Sequence, residues 1–170
     1  MFLGYATIGF FIEEHCMFTL RRVIIGLVVL VAAIQFIPVS YTNPPAADPV
    51  VFTDPKAEQI AKKACYDCHS NNTRYPWYSN FQPVAWWLDS HINEGKEELN
   101  FSEYGKRTLV KRAKKLRKIA EEVEEGEMPL KSYTWIHKDA RLTDQEKKIV
   151  IDWANNLSQQ TTAQLPPESK

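Results

Sequence analysis

Residues 65–69 read Cys-Tyr-Asp-Cys-His, and no other stretch of the chain restricts the fold so tightly. Two thiols separated by two residues, with an imidazole directly after the second, form the pattern by which a polypeptide holds haem covalently. Each thiol adds to one vinyl group as a thioether, and the histidine turns under the ring to bind the iron. A chain of this kind must bring Cys65, Cys68 and His69 to one face of a single turn and wall a flat ring with apolar side chains. Two other chemistries use a Cys-x-x-Cys pair. A redox dithiol needs no histidine after its second cysteine. A zinc site needs further ligands, and with no cysteine beyond Cys68 it would have to recruit His91 and His137 at irregular distances.

The 170 residues allow one domain plus an extension, with enough apolar content to close a core around a flat cofactor. Lys plus Arg and Asp plus Glu balance at 21 each, which argues against a nucleic-acid binder and against a strongly acidic partner surface. The third cysteine, Cys16, precedes the apolar segment, so once Cys65 and Cys68 hold haem no pair remains for an intrachain disulfide.

Residues 23–39 carry no charge and one polar side chain, Gln35, a little short of the roughly 20 residues a spanning helix prefers. Arg21 and Arg22 flank the N-terminal side and no Lys or Arg follows until Lys56, so the positive-inside rule puts residues 1–22 in the cytoplasm and everything after Val39 outside. That predicts a single-pass inner-membrane protein with its cofactor domain facing the periplasm, the side on which bacteria attach haem to this motif. The basic and apolar order also fits a chain that starts at Met17, with residues 1–16 a tail, and it fits a signal segment; a small-residue cleavage site after the apolar run is missing, which favours an anchor that stays. Residues 40–53 are rich in proline and read as a linker.

Asp54-Pro55 opens a helix in the expected way, with Ala57, Ile60, Ala61 and Ala64 on one side, and this helix delivers Cys65. After His69 the aromatic residues Tyr75, Trp77, Tyr78, Phe81, Trp86 and Trp87 offer flat side chains to wall a porphyrin, or else ordinary core. Pro83 to Glu94 reads as a short helix stopped by Gly95, with His91 on a face shared with Val84, Trp87 and Leu88. A later stripe of Leu109, Ala113, Leu116, Ala120 and Val123 marks another helix, basic in its first part and acidic at its end, the reverse of what the helix dipole favours. Its basic block is either a solvated face or a dock for an acidic redox partner or anionic lipid.

Gly126-Glu127-Met128-Pro129 follows that helix. Met128 is the one methionine beyond Met17, held before a proline, and a thioether is a good axial ligand for haem iron. It is therefore the candidate distal ligand opposite His69, with His137 and His91 as alternatives and a core filler as the plain reading. Thr143 to Glu146 is a capping box that starts a last helix, with Ile149, Val150, Trp153 and Leu157 on its stripe and an end expected near Asn155-Asn156. The tail, residues 158–170, is expected to be disordered.

Taken together, Cys65 to Asn71, Tyr75-Pro76-Trp77-Tyr78, Trp86-Trp87, His91 to Gly95, Leu99 to Ser102, Met128-Pro129 and His137 to Leu142 resemble the bacterial haem-binding-domain family, a family similar to c-type cytochromes. The resemblance covers residues 54–157. It implies an all-α domain like a class I cytochrome c around one covalent haem c, and electron transfer with redox partner proteins at an outer membrane face. It leaves the distal ligand among Met128, His91 and His137. No catalytic residue is expected, and an enzyme is not. The alternative is a haem with an exchangeable sixth position, sensing a diatomic gas or reacting with peroxide.

Overall fold

The computed structural model describes residues 4–166, with side chains from Met17 onward, so the side chain of Cys16 and the last residues of the expected tail lie outside the described residues. Among those described there are helices and turns and no strand. The chain forms two compact units, Met1–Ser40 with Trp77–Trp87 and Tyr41–Pro76 with Leu88–Lys170.

The first unit is built on α1 (Gly4–Ile34). Its stretch Met17–Ile34 is long and apolar enough to cross a membrane and buries nothing within the protein. That stretch begins before the expected anchor, residues 23–39, and stops short of its end, and residues the sequence pattern left irregular before Glu13 are helical from Gly4. Pro38 explains the early stop, since it has no N–H to donate and disfavours helix at the residue before it. Within α1 the Arg22 guanidinium lies 4.2 Å from the Phe18 ring centre.

In the second unit α2 (Pro55–Ala64) begins as expected: the Asp54 carboxylate accepts from the Lys56 N–H at 2.8 Å, and Ala57, Ile60, Ala61 and Ala64 are buried. A single turn, α3 (Tyr66–His69), follows directly. Next comes α4 (Val84–Glu98), whose first turn belongs to the first unit. It runs through Gly95 rather than stopping there. Then come α5 (Leu109–Glu124), α6 (Lys131–Ile136) and α7 (Asp144–Ala163). The α5 stripe buries Ala113, Leu116, Ala120 and Val123 against α7, where Val150, Trp153 and Ala154 are buried. Phe52 stacks on Trp153 at 4.6 Å and tilts against Phe101 at 5.9 Å, closing the core beside them.

Two expectations change here. The linker is not a free tether, because its backbone is bonded to the unit it precedes: the Ala47 and Asp48 N–H groups donate to the Ser102 carbonyl and Val50 N–H donates to Phe101 at 2.8 Å. Proline removes donors but leaves the remaining N–H groups free to pair with a neighbouring loop. The last helix does not end at Asn155-Asn156 but continues to Ala163, with Thr161 buried and its hydroxyl donating to the Leu157 carbonyl, so residues 158–163 of the expected disordered tail are ordered.

Candidate functional site

Cys65 ends α2 and starts α3, where the Cys68 and His69 N–H groups both donate to its carbonyl at 3.2 and 2.9 Å. Positions i, i+3 and i+4 of one turn share a face, and all three side chains line a cavity of about 370 Å³. That volume falls in the range of about 300–1,000 Å³ that small-molecule and cofactor sites occupy.

Two helices supply facing stripes to the same cavity. From α4 come His91, Glu94, Gly95 and Glu98, at i, i+3, i+4 and i+7, and from α5 come Lys115, Lys118, Ile119, Glu122 and Val123, at i, i+3, i+4, i+7 and i+8. Leu99, Phe101, Leu130 and Tyr133 add apolar wall. The charged members meet as ion pairs, Lys115 with Glu98 at 2.8 Å and Lys118 with the same carboxylate at 3.7 Å. Hydrogen bonding and charge from Lys115 hold Glu98 below its usual carboxylate range. Part of the basic block is therefore turned to the cavity and paired.

His69 is fixed by the backbone of α4 and of the residue that follows it. Its Nδ1 donates to the Gly95 carbonyl at 2.8 Å and to the Leu99 carbonyl at 3.1 Å. That assigns the proton to Nδ1 and leaves Nε2 with the lone pair a metal needs, the usual way a ligating histidine is oriented. Burial holds the ring's affinity for a second proton down, against the pull of those two carbonyls.

Gly95 makes this approach possible. A Cβ there would lie 2.7 Å from the Cys68 carbonyl oxygen, a distance real side chains do not tolerate. The residue that reads as a helix stop is instead the point where α4 and the Cys-x-x-Cys-His turn touch.

The thiols of Cys65 and Cys68 face apolar surroundings. Burial first, then the neighbouring Cys68, pushes the Cys65 thiol up to about 12; burial first, then Asp67, pushes Cys68 up to about 11 against the pull of Lys96. A redox dithiol needs its reactive thiol pushed the other way. Among the described residues no three His, Cys, Asp or Glu side chains gather to hold a metal ion.

Asp67, between the two cysteines, is buried and had no role in the sequence reading. Its carboxylate accepts from Arg74 Nε and a second guanidinium nitrogen, both at 3.1 Å, from the Arg74 N–H at 3.0 Å, and from the Tyr133 hydroxyl at 2.7 Å. The turn that carries the cysteines is thereby tied to α6. A charged residue next to the first-spaced thiols was the visible signal; its partners, 7 and 66 residues away, were not.

Met128 lines the cavity. It is aimed by a left-handed turn at the exit of α5: Gly126 has φ 74°, its N–H donates to Val123, and the Glu127 and Met128 N–H groups donate to the Glu122 carbonyl at 3.0 Å. His91 lines it as well. His137 does not; its ring stacks on Tyr133 at 4.4 Å, and Tyr133 is the residue that forms the wall. The expected aromatic wall is also elsewhere. Trp77, Phe81, Trp86 and Trp87 belong to the first unit and none borders the cavity, and they are exposed, so neither the wall nor ordinary core describes them.

The chain matches the haem-binding-domain family over residues 29–156 and belongs to it. No curated protein and no solved structure matches it. The geometry fits the cofactor that the family's description names: two thiols and an oriented imidazole converge on one largely apolar cavity, with a thioether on its wall.

Proposed function

We propose that the protein is a membrane-anchored mono-haem c-type cytochrome, resembling class I cytochromes c, that transfers electrons on the extracytoplasmic side. The observation that carries this reading is the His69 ring held by the Gly95 and Leu99 carbonyls beside both cysteines of the motif. Bound there, haem c supplies a one-electron ferric and ferrous couple. Cys65 and Cys68 would hold it as thioethers. His69 Nε2 would bind the iron, and its Nδ1 proton, shared with two carbonyls, would make the ring a better donor. Met128 would supply a thioether as the second ligand, which would keep the potential higher than a second histidine would.

Electron transfer requires firmly held ligation rather than a reacting residue, which suits a His69 ring bonded to two backbone carbonyls. No catalytic role is assigned to any residue. Arg21 and Arg22, which lie within α1 just before its apolar run from Val23, with no basic residue after them until Lys56, support an inner-membrane anchor with the haem unit in the periplasm. Its partners are redox proteins on that side.

One observation favours a second reading. His91 shares the cavity with Met128, so an exchangeable sixth position with a histidine nearby would suit gas sensing or peroxide chemistry. The near-infrared spectrum of the purified ferric protein separates the two. The cytochrome reading expects the sulfur-to-iron charge-transfer band, its loss in Met128→Ala together with a lower potential and new binding of carbon monoxide, and its retention in His91→Ala and His137→Ala. Ready binding of carbon monoxide by the unmutated ferrous protein would favour the exchangeable site.

A further inference from the structure

The segment Trp77–Trp87 has no part in the cofactor site, and its surface is poorly suited to water. Trp77 is 77% exposed, Phe81 55% and Trp87 48%. Between Arg74 and Asp89 the chain holds no charged residue at all.

The place of this segment within its own unit is set by hydrogen bonds to the exit end of α1. Gln82 and Gln35 form a reciprocal pair: the Gln82 N–H donates to Gln35 Oε1 at 2.9 Å, and Gln35 Nε2 donates to the Gln82 carbonyl at 3.1 Å. Gln82 Nε2 and Trp86 Nε1 both donate to the Ile37 carbonyl, at 3.0 and 3.3 Å. These bonds satisfy polar groups just where an apolar helix gives out, so the aromatic segment lies at the depth of residues 35–37.

That depth can be estimated. The 18 residues of Met17–Ile34 rise about 27 Å at about 1.5 Å each, close to the roughly 30 Å of a bilayer's hydrocarbon. Residues 35–37, and whatever is bonded to them, therefore stand at the boundary between hydrocarbon and headgroups. Tryptophan is the side chain most at home there, with an apolar body and one N–H to satisfy.

We infer that Trp77–Trp87 is a second membrane attachment, an aromatic platform resting in the headgroup region of the bilayer where α1 emerges. The inference takes α1 as membrane-spanning, as the proposed function does, and is independent of the haem chemistry. It gives the exposed aromatics a solvent that suits them, and it joins the cofactor unit to membrane-held residues at three points of the chain, after Ser40, Pro76 and Trp87.

The test uses the full chain reconstituted in vesicles of phosphatidylethanolamine and phosphatidylglycerol that carry a phospholipid with a photoreactive diazirine near its headgroup. After illumination and trypsin, lipid adducts are read on the peptides 75–96 and 23–56. Adducts are expected on both. In the combined variant Trp77→Ser, Phe81→Ser and Trp87→Ser, labelling of 75–96 should fall several-fold with 23–56 unchanged; Trp86 is kept because its N–H is bonded to Ile37. If that variant does not fold, the wild-type labelling decides alone. Adducts on 23–56 but not on 75–96 would overturn the attachment and leave the spanning helix standing. Adducts on neither would overturn both. Cross-links from 75–96 to a second copy of the chain in place of lipid would overturn it in favour of a contact between copies.

Discussion

Gly95 illustrates how a single missing side chain can decide a site. Its hydrogen atom lets the Cys68 backbone approach α4, and its carbonyl then orients His69. Gly95→Ala places a Cβ against backbone that cannot easily retreat, and overpacking of this kind costs about 1–3 kcal/mol; urea unfolding of the variant should show that loss. Two such features, Gly95 and Asp67, escaped the sequence reading for one reason. A glycine inside a helical pattern reads as a stop, and an aspartate between two cysteines carries no role of its own, until residues far along the chain are brought beside them. Cys65, Cys68 and His69 were legible because their relation is local, a matter of one turn. Met128 was legible as a candidate for the same reason, since the Gly126 turn that aims it lies directly before it.

Helix starts were easier to read than helix ends. Asp54 and Thr143 cap α2 and α7 where the pattern placed them, because a cap needs only its own next three residues. The ends of α1, α4 and α7 depended on other things: a proline, a close approach and a tertiary contact that outlasts an Asn-Asn pair. The stripes of α5 were read for their apolar face alone, and the charged face turned out to border the cavity through pairs with α4. Between elements, the link from Tyr133 on α6 to Asp67 on α3 is the most exposed to test. Tyr133→Phe keeps the ring and removes one hydrogen bond to a buried carboxylate, worth about 1.5–3 kcal/mol. Chemical denaturation should show that cost, and a variant as stable as the wild type would mean that Arg74 alone satisfies Asp67.

At the scale of the molecule, an all-helical cofactor unit and an N-terminal apolar helix long enough to span a membrane were both legible, since period and composition carry them. What composition could not say is which aromatic residues go where: density in Trp and Tyr marks a surface for a ring, a core or a bilayer equally well. Whole-molecule stability carries one pH signature. Burial pushes the phenols of Tyr66, Tyr104 and Tyr133 up, Tyr66 to about 12. An unfolded phenol ionises near about 10. The folded chain thus keeps these protons above the pH at which the unfolded chain releases them, so their contribution is whole below about pH 10 and is lost as pH rises toward 12. Thermal midpoints measured across that window should fall.

The central claim is that this chain carries its haem on Cys65 and Cys68, and acid–acetone extraction of the matured, denatured protein tests it most directly. The claim predicts that the haem stays on the polypeptide and that its pyridine haemochrome has the spectrum of a ring with both vinyl groups saturated. Haem recovered in the solvent would contradict it.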